Sequence, residues 1–261
     1  MSARGSIVGK VYLVGAGPGA PDLLTLRAAR LLEAADIVFH DALVHPDILA
    51  LAGRARQIDV GKRYGKVSTE QRFINRALIE AARTHSLVVR LKGGDPMLFG
   101  RAQEELDALK AAGIECEVVP GVTAALAAAA TLKVSLTRRG IARTVVFLTP
   151  RVGKGESASE WLAPALAADS VVLYMAAGAA TSIAASLIGA GKPGATPVAL
   201  VESATLPEER RLFTTLEALQ SAKLPPATGP VVVCVGEVFR ESSFKEIDHA
   251  NLMREVSSAR L

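Results

Sequence analysis

Val88-Val89-Arg90-Leu91-Lys92-Gly93-Gly94-Asp95-Pro96-Met97-Leu98-Phe99-Gly100-Arg101 is the stretch on which the reading of this chain turns. An apolar run passes straight into a Gly-Gly-Asp-Pro turn. That pattern predicts a strand whose carboxyl end presents bare backbone and one carboxylate. In an open α/β sheet, this is the end where ligands bind. Asp95 as a helix N-cap, with Pro96 at the first helical position, accounts for part of the motif. Capping does not require the two glycines before it.

Working outward, strands and helices alternate. Ile7–Val14 reads as a first strand ending in Gly15-Ala16-Gly17-Pro18-Gly19-Ala20, and Asp22–Leu32 as a helix with Leu23, Leu24, Leu26, Leu31 and Leu32 at helical spacing. Asp36–Phe39 and Arg56–Val60 follow as strands, ending at His40-Asp41 and Gly61-Lys62-Arg63. Ser68 and Gln71 form a capping box, and Phe73, Ile74, Leu78 and Ala81 a buried stripe. Leu87–Leu91 is a strand, Phe99–Ala111 a helix closed by Gly113, and Cys116–Val119 a fifth strand. The expected result is a parallel sheet with helices packed on it, its glycine and charged turns gathered on one edge.

The second half repeats the style. Strands are expected at Thr144–Thr149, Ser170–Met175, Pro197–Glu202, Arg210–Thr215 and Pro230–Gly236, and helices at Thr123–Leu132, Glu160–Ala167 and Ala180–Ile188. The fold class is therefore α/β, with two α/β domains and a cleft between them. The expected domains are residues 1–120 and 121–240, with a peripheral tail at 241–261.

Composition narrows the function. The chain has 261 residues, half of them apolar, enough for a stable core. Cys116 and Cys234 sit in separate apolar runs and read as buried thiols, which suits a reducing cytoplasm. Four scattered histidines, with no CxxC or HExxH, argue against a protein-built metal site. No signal peptide or membrane span is expected: the N-terminus lacks a long apolar core, and Ala124–Ala130 is too short to cross a bilayer.

The net charge is +4, and its placement matters more than its size. From Pro120 to Gly155 there is no acidic residue, while Lys133, Arg138, Arg139, Arg143, Arg151 and Lys154 all fall there. A solvated basic face and a counter-surface for an anionic partner are both open readings. The Gly15–Ala20 turn formally fits the relaxed dinucleotide fingerprint. Pro18 and Pro21, however, remove N–H donors where a phosphate-binding helix should start.

Three motifs occur in order: Val14-Gly15-Ala16-Gly17-Pro18-Gly19-Ala20-Pro21-Asp22-Leu23-Leu24-Thr25-Leu26, Gly93-Gly94-Asp95-Pro96 and Pro120-Gly121-Val122-Thr123-Ala124. With His40-Asp41-Ala42-Leu43-Val44, Val60-Gly61-Lys62-Arg63 and Tyr174-Met175, this set resembles the tetrapyrrole methylases over roughly residues 8 to 240. The resemblance implies a donor site for S-adenosylmethionine between two α/β domains, with S-adenosylhomocysteine as product, in a cytoplasmic homodimer. It implies C-methylation of uroporphyrinogen III at ring positions 2 and 7 to precorrin-2, which feeds siroheme and cobalamin synthesis.

Carried over residue by residue, the donor pocket would use Pro18, Gly93, Gly94, Asp95, Thr123, Ala124, Met175, Ala204 and Val231. Asp41 and Arg101 would stand at the reaction centre. Lys62, Arg63, Arg138, Arg139 and Arg151 would meet the eight carboxylates of the substrate. Family members usually follow Leu-Thr with His-Arg-Asp, where this chain has Arg138-Arg139-Gly140, and carry Gly-His where it has Pro150-Arg151. Those departures fall on the substrate side. Methylation of a later precorrin or of RNA, and a non-catalytic tetrapyrrole carrier, are the rival readings. The scarcity of aromatics counts against stacking on single-stranded nucleic acid.

Overall fold

In the computed structural model the described residues are 9–61, 71–152, 160–222, 224 and 226–240. The chain forms two compact units, Met1–Ala127 and Ala128–Leu261.

The first unit runs β1 (Lys10–Gly15), α1 (Leu26–Ala34), β2 (Ile37–His40), α2 (Pro46–Ala50), β3 (Arg56–Asp59), α3 (Gln71–Ala82), β4 (Leu87–Lys92), α4 (Ala102–Ala111) and β5 (Cys116–Val119), and the boundary falls within α5 (Ala124–Leu132). Its five strands lie in the order β3-β2-β4-β1-β5, every pair parallel. Side chains alternate across the sheet, so each strand feeds two cores. Val14, Val89 and Leu91 pack with Ala28, Leu32 and Ile48 of α1 and α2. Val11, Leu13 and Val88 pack with Ile74, Leu78 and Leu109 of α3 and α4. Each such fully buried aliphatic side chain contributes about 1.5–3 kcal/mol.

This topology has one switch point. The chain leaves β1 through α1 toward β2, and leaves neighbouring β4 through α4 toward β5, in opposite directions and over opposite faces. The crevice outside the carboxyl ends of β1 and β4 is where such sheets bind ligands.

Several expectations are corrected. The helix read over Asp22–Leu32 starts at Leu26: Pro21–Leu23 is a single 3-10 turn, Leu24 is extended, and Thr25 Oγ1 caps by accepting from Ala28 N at 3.1 Å. Leu26 therefore points to solvent, 77% exposed, and Phe73 is likewise outside its stripe at 62%. The helix read from Phe99 starts at Ala102, because Phe99 and Arg101 take left-handed φ values of 53° and 56°. Asp95 and Pro96 do not open a helix. The helix read from Glu160 starts at Leu162. Ser68 of the capping box and the tail from 241 lie outside the described residues.

The second unit runs β6 (Val145–Leu148), α6 (Leu162–Ala167), β7 (Ser170–Leu173), α7 (Ala180–Gly189), β8 (Pro197–Glu202), β9 (Arg210–Thr215), α8 (Leu216–Ser221) and β10 (Val231–Gly236). Its order is β6-β7-β10-β8-β9. Only β6 and β7 pair in parallel; β10 is antiparallel to both neighbours, and β8 to β9. The second half thus departs from the style of the first. Residues 203–209 link β8 to β9 with no crossover helix, and a parallel return needs roughly a dozen residues or more. Val171, Leu173, Ile183, Leu187, Leu216 and Val233 form its core. Cys116 and Cys234 are both free thiols. Among the described residues no helix is long and apolar enough to cross a membrane.

Candidate active site

At the switch point, glycines interlock the loops after β1, β4 and β5. Gly17 N donates to Gly94 O at 3.2 Å and Gly94 N to Gly17 O at 2.8 Å, both residues with left-handed φ, while Ala16 N reaches Lys92 O at 2.7 Å. A Cβ on Gly15 would stand 2.6 Å from Gly121 N, and one on Gly121 would stand 2.4 Å from Gly94 O. These two glycines serve packing. Gly93 differs: it is exposed, and its nearest neighbour would be Leu43 Cβ at 3.9 Å. Gly93 is thus the glycine whose backbone a ligand can approach.

Asp95 ties this edge together. Oδ1 accepts from Met97 N at 2.8 Å, closing a local turn, and Oδ2 accepts from Gly121 N at 2.9 Å. Thr123 and Ala124, at the start of α5, lie beside Gly94: a Cβ there would be 3.9 Å from Thr123 Cα and 4.0 Å from Ala124 N. Pro18 is half-buried in the β1 loop. The first-unit donor candidates therefore share one sheet edge. The chemistry they offer is largely backbone and apolar, and fits a nucleoside-bearing cation better than a pyrophosphate.

Asp41 follows β2 on the same edge, and its setting was not foreseen. Arg90 Nη2 donates to Asp41 Oδ1 at 2.5 Å, Arg90 Nε to Glu105 Oε1 at 3.0 Å, and Lys92 Nζ to Glu105 Oε2 at 3.0 Å. Gln71 Nε2 adds a bond to Glu105 Oε1 at 3.1 Å. Arg90, Lys92 and Glu105 are buried, whereas the Asp41 side chain is 31% exposed. Burial alone would lower the Arg90 pKa, but Asp41 and Glu105 outweigh it and hold the guanidinium charged. Burial, reinforced by the Arg90 charge, pulls the Lys92 ammonium down. A signal was present: Arg90 and Lys92 stand two apart in an apolar strand, hence on one face. That face is the one α4 covers, with Glu105 in its first turn.

Arg101 stands apart from Asp41's partner set. Its guanidinium grips Glu104 through Nε at 2.6 Å and Nη2 at 2.8 Å, exposed at the start of α4.

In the second unit, Met175, Ala204 and Val231 come to one sheet edge because β10 runs backwards. Val231 pairs with Glu202, and Val233 with Leu173, so the start of β10 lies beside the ends of β7 and β8. Met175, Ser203 and Thr205 take left-handed φ values of 55°, 50° and 74°. Glu202 braces the turn: Oε1 accepts from Thr228 N at 2.6 Å and Gly229 N at 2.8 Å, and Oε2 pairs with Arg210 at 2.6 Å. Thr205 N donates to Glu209 Oε2 at 2.6 Å. Ala204 is buried within this brace.

The described basic candidates are surface features. Arg138 and Arg139 crown a tight hairpin in which Arg138 N reaches Ala142 O at 2.9 Å, with Gly140 at φ 80°. Both are exposed, as is Arg151. Lys62 and Arg63 lie outside the described residues.

Known proteins resemble this chain over most of its length. The family profile described as Tetrapyrrole (Corrin/Porphyrin) Methylases matches residues 10–220. The chain is 44% identical to the uroporphyrinogen-III C-methyltransferase of Pseudomonas aeruginosa over 89% of this chain and 95% of that one. It is 43% identical to the siroheme synthase of Azotobacter vinelandii, matching 89% of this chain but only 51% of that longer protein. Among solved structures, uroporphyrin-III C-methyl transferase from Thermus thermophilus complexed with S-adenyl homocysteine superposes with a TM-score of 0.78, at 41% identity, covering 89% of this chain and 99% of that one.

Proposed function

Because the chain belongs to the tetrapyrrole (corrin/porphyrin) methylase family, we propose that it methylates uroporphyrinogen III at ring positions 2 and 7, giving precorrin-2 for siroheme and cobalamin synthesis. The donor is S-adenosylmethionine, as the structural relative with its demethylated product bound supports. One observation carries the reading: the match to a uroporphyrinogen-III C-methyltransferase runs over 95% of that protein's length.

The residues have separable tasks. S-adenosylmethionine brings an already electrophilic sulfonium methyl. Gly93 holds the donor through its exposed backbone at the β1/β4 switch point, Thr123 and Ala124 flank it, and Gly94 and Asp95 fix the loop after β4. Pro18 adds an apolar contact on that edge, and Met175, Ala204 and Val231 are the donor contacts proposed for the second unit. Alignment of the methyl with the pyrrole carbon and exclusion of water then supply most of the rate. Asp41 faces the macrocycle, stabilises the positive charge that develops there, and accepts the proton the ring must lose. Arg138, Arg139 and Arg151, with Lys62 and Arg63, meet the substrate carboxylates. Arg101 is better placed to orient Glu104 or a carboxylate than to touch the reacting carbon.

A cytoplasmic homodimer completes the proposal; exposed apolar side chains such as Leu26 and Phe73 provide surface for it. Light scattering at working concentration checks the dimer.

The test is anaerobic incubation with uroporphyrinogen III and S-adenosylmethionine, followed by mass analysis of the macrocycle. A gain of two methyl groups supports the reading. Donor binding by calorimetry without any gain would move the acceptor to a later precorrin. Methyl transfer to RNA, with binding that falls steeply with salt, would replace it altogether.

A further inference from the structure

The Asp41–Arg90–Glu105–Lys92 chain is the only buried multi-ion network among the described residues whose tip reaches a ligand-binding edge. Arg90 is fixed at every nitrogen: Nε to Glu105, Nη1 to Leu91 O at 3.0 Å and Nη2 to Asp41. Glu105 is in turn held at both oxygens, by Arg90 and Gln71 on one and by Lys92 on the other. The four formal charges cancel. Buried ion pairs of this kind are poor sources of stability, since apolar replacements of similar volume often do as well or better. Their cost is recovered where a fixed geometry is needed. Here the geometry ends at Asp41, the one member that solvent and ligands can reach.

We propose that Arg90 and Glu105 are positioning residues for methyl transfer, acting solely through Asp41 by locking its carboxylate into one orientation toward the acceptor ring. The inference rests on the reading of Asp41 as the group that faces the macrocycle. Lys92 neutralises the far oxygen of Glu105, so that Glu105 can hold Arg90 without an uncompensated charge. The anchor spans three elements: the end of β2, the inward face of β4, and the first turn of α4. That span explains why the first turn of this helix carries a fully buried glutamate.

A double-mutant cycle tests it. Arg90→Lys keeps the charge but loses the planar fork, and should lower kcat for tetrapyrrole methylation by about tenfold or more while KM for S-adenosylmethionine stays within about twofold. In an Asp41→Asn background, the same substitution should change kcat by less than about twofold, because the residue through which it acts is already disabled. Glu105→Gln provides a second, shape-conserving route through the same cycle should Arg90→Lys fold poorly. Independently of turnover, the 13C signal of the Asp41 carboxyl should shift in Glu105→Gln at neutral pH, while that of Asp169 in the second unit does not. Equal losses of kcat in both backgrounds, or an unmoved Asp41 signal, would overturn the proposal. A wild-type protein that binds the donor yet methylates no tetrapyrrole would instead overturn the functional reading beneath it.

Discussion

The Asp95 carboxylate accepts a hydrogen bond from the backbone N–H of Gly121, 26 residues further along the chain, at 2.9 Å. A side chain whose spacing looks like a helix cap is thereby a strut between the loops after β4 and β5. Those loops, with the one after β1, form the switch-point edge where the donor is proposed to bind.

Removing that strut should be felt in stability and in donor affinity together. Asp95→Ala leaves Gly121 N and Met97 N without their acceptor, and hydrogen bonds to a charged group are worth about 1.5–3 kcal/mol each before relaxation. The expected result is a lower urea midpoint and weaker S-adenosylmethionine binding by calorimetry. An unchanged midpoint would show that the strut is dispensable.

Two glycines on the same edge should respond in opposite ways. Gly121→Ala places a methyl 2.4 Å from the Gly94 carbonyl oxygen, a backbone atom that cannot swing aside, and should cost about 1–3 kcal/mol or more in unfolding free energy. Gly93→Ala meets only Leu43 Cβ at 3.9 Å and should fold normally. Its penalty should fall on donor affinity instead. Thermal melts and calorimetry on both variants separate the two roles.

The second unit should carry an acid-sensitive brace at Glu202. Burial acts to raise its pKa, but Arg210 and the Gly229 and Thr228 N–H groups outweigh that and hold it below the ordinary 4.5. A carboxyl with a depressed folded-state pKa contributes stability above its unfolded-state value and loses it as pH falls through the folded one. Wild-type stability should therefore decline as pH drops below about 4.5, and Glu202→Gln should show a shallower decline over that range. Urea unfolding between pH 6 and about 3 measures it; equal slopes would argue against the brace.

Arginines on the hairpin after α5 should affect the acceptor and not the donor. Arg139 is exposed, and the turn beneath it is made by backbone and Gly140, so Arg139→Ala should leave folding intact. One exposed ion pair is worth about 0.2–1 kcal/mol, which converts to a rise in tetrapyrrole KM of at most about fivefold. The KM for S-adenosylmethionine should stay constant. Added salt should shrink the difference between wild type and variant.

Much of the fold is legible in residue order. The strands at Cys116–Val119, Pro197–Glu202 and Arg210–Thr215 stand where apolar runs and turn residues place them, because both signals are local. Helix starts were less legible. Leucine spacing carries the helix back to Asp22, but Pro21–Leu23 closes its own turn and Thr25 caps the helix three residues later. Phe73 and Leu26 fit a helical stripe by spacing yet face outward, since spacing describes a helix and not what packs against it.

The sequence by itself determined the class of the protein. The glycine-proline turn after β1, the Gly-Gly-Asp-Pro turn after β4 and the Pro-Gly-Val-Thr-Ala entry to α5 are contiguous motifs, readable without a partner. Only the tertiary structure decided that β10 inserts antiparallel between β7 and β8, bringing Ala204 and Val231 to one edge. Only it could join Asp41 to Arg90 and Arg90 to Glu105 across 49 and 15 residues. The reason is physical: local pattern reports which face of an element avoids water, whereas strand direction and charge pairing are settled by which distant groups meet when the core closes.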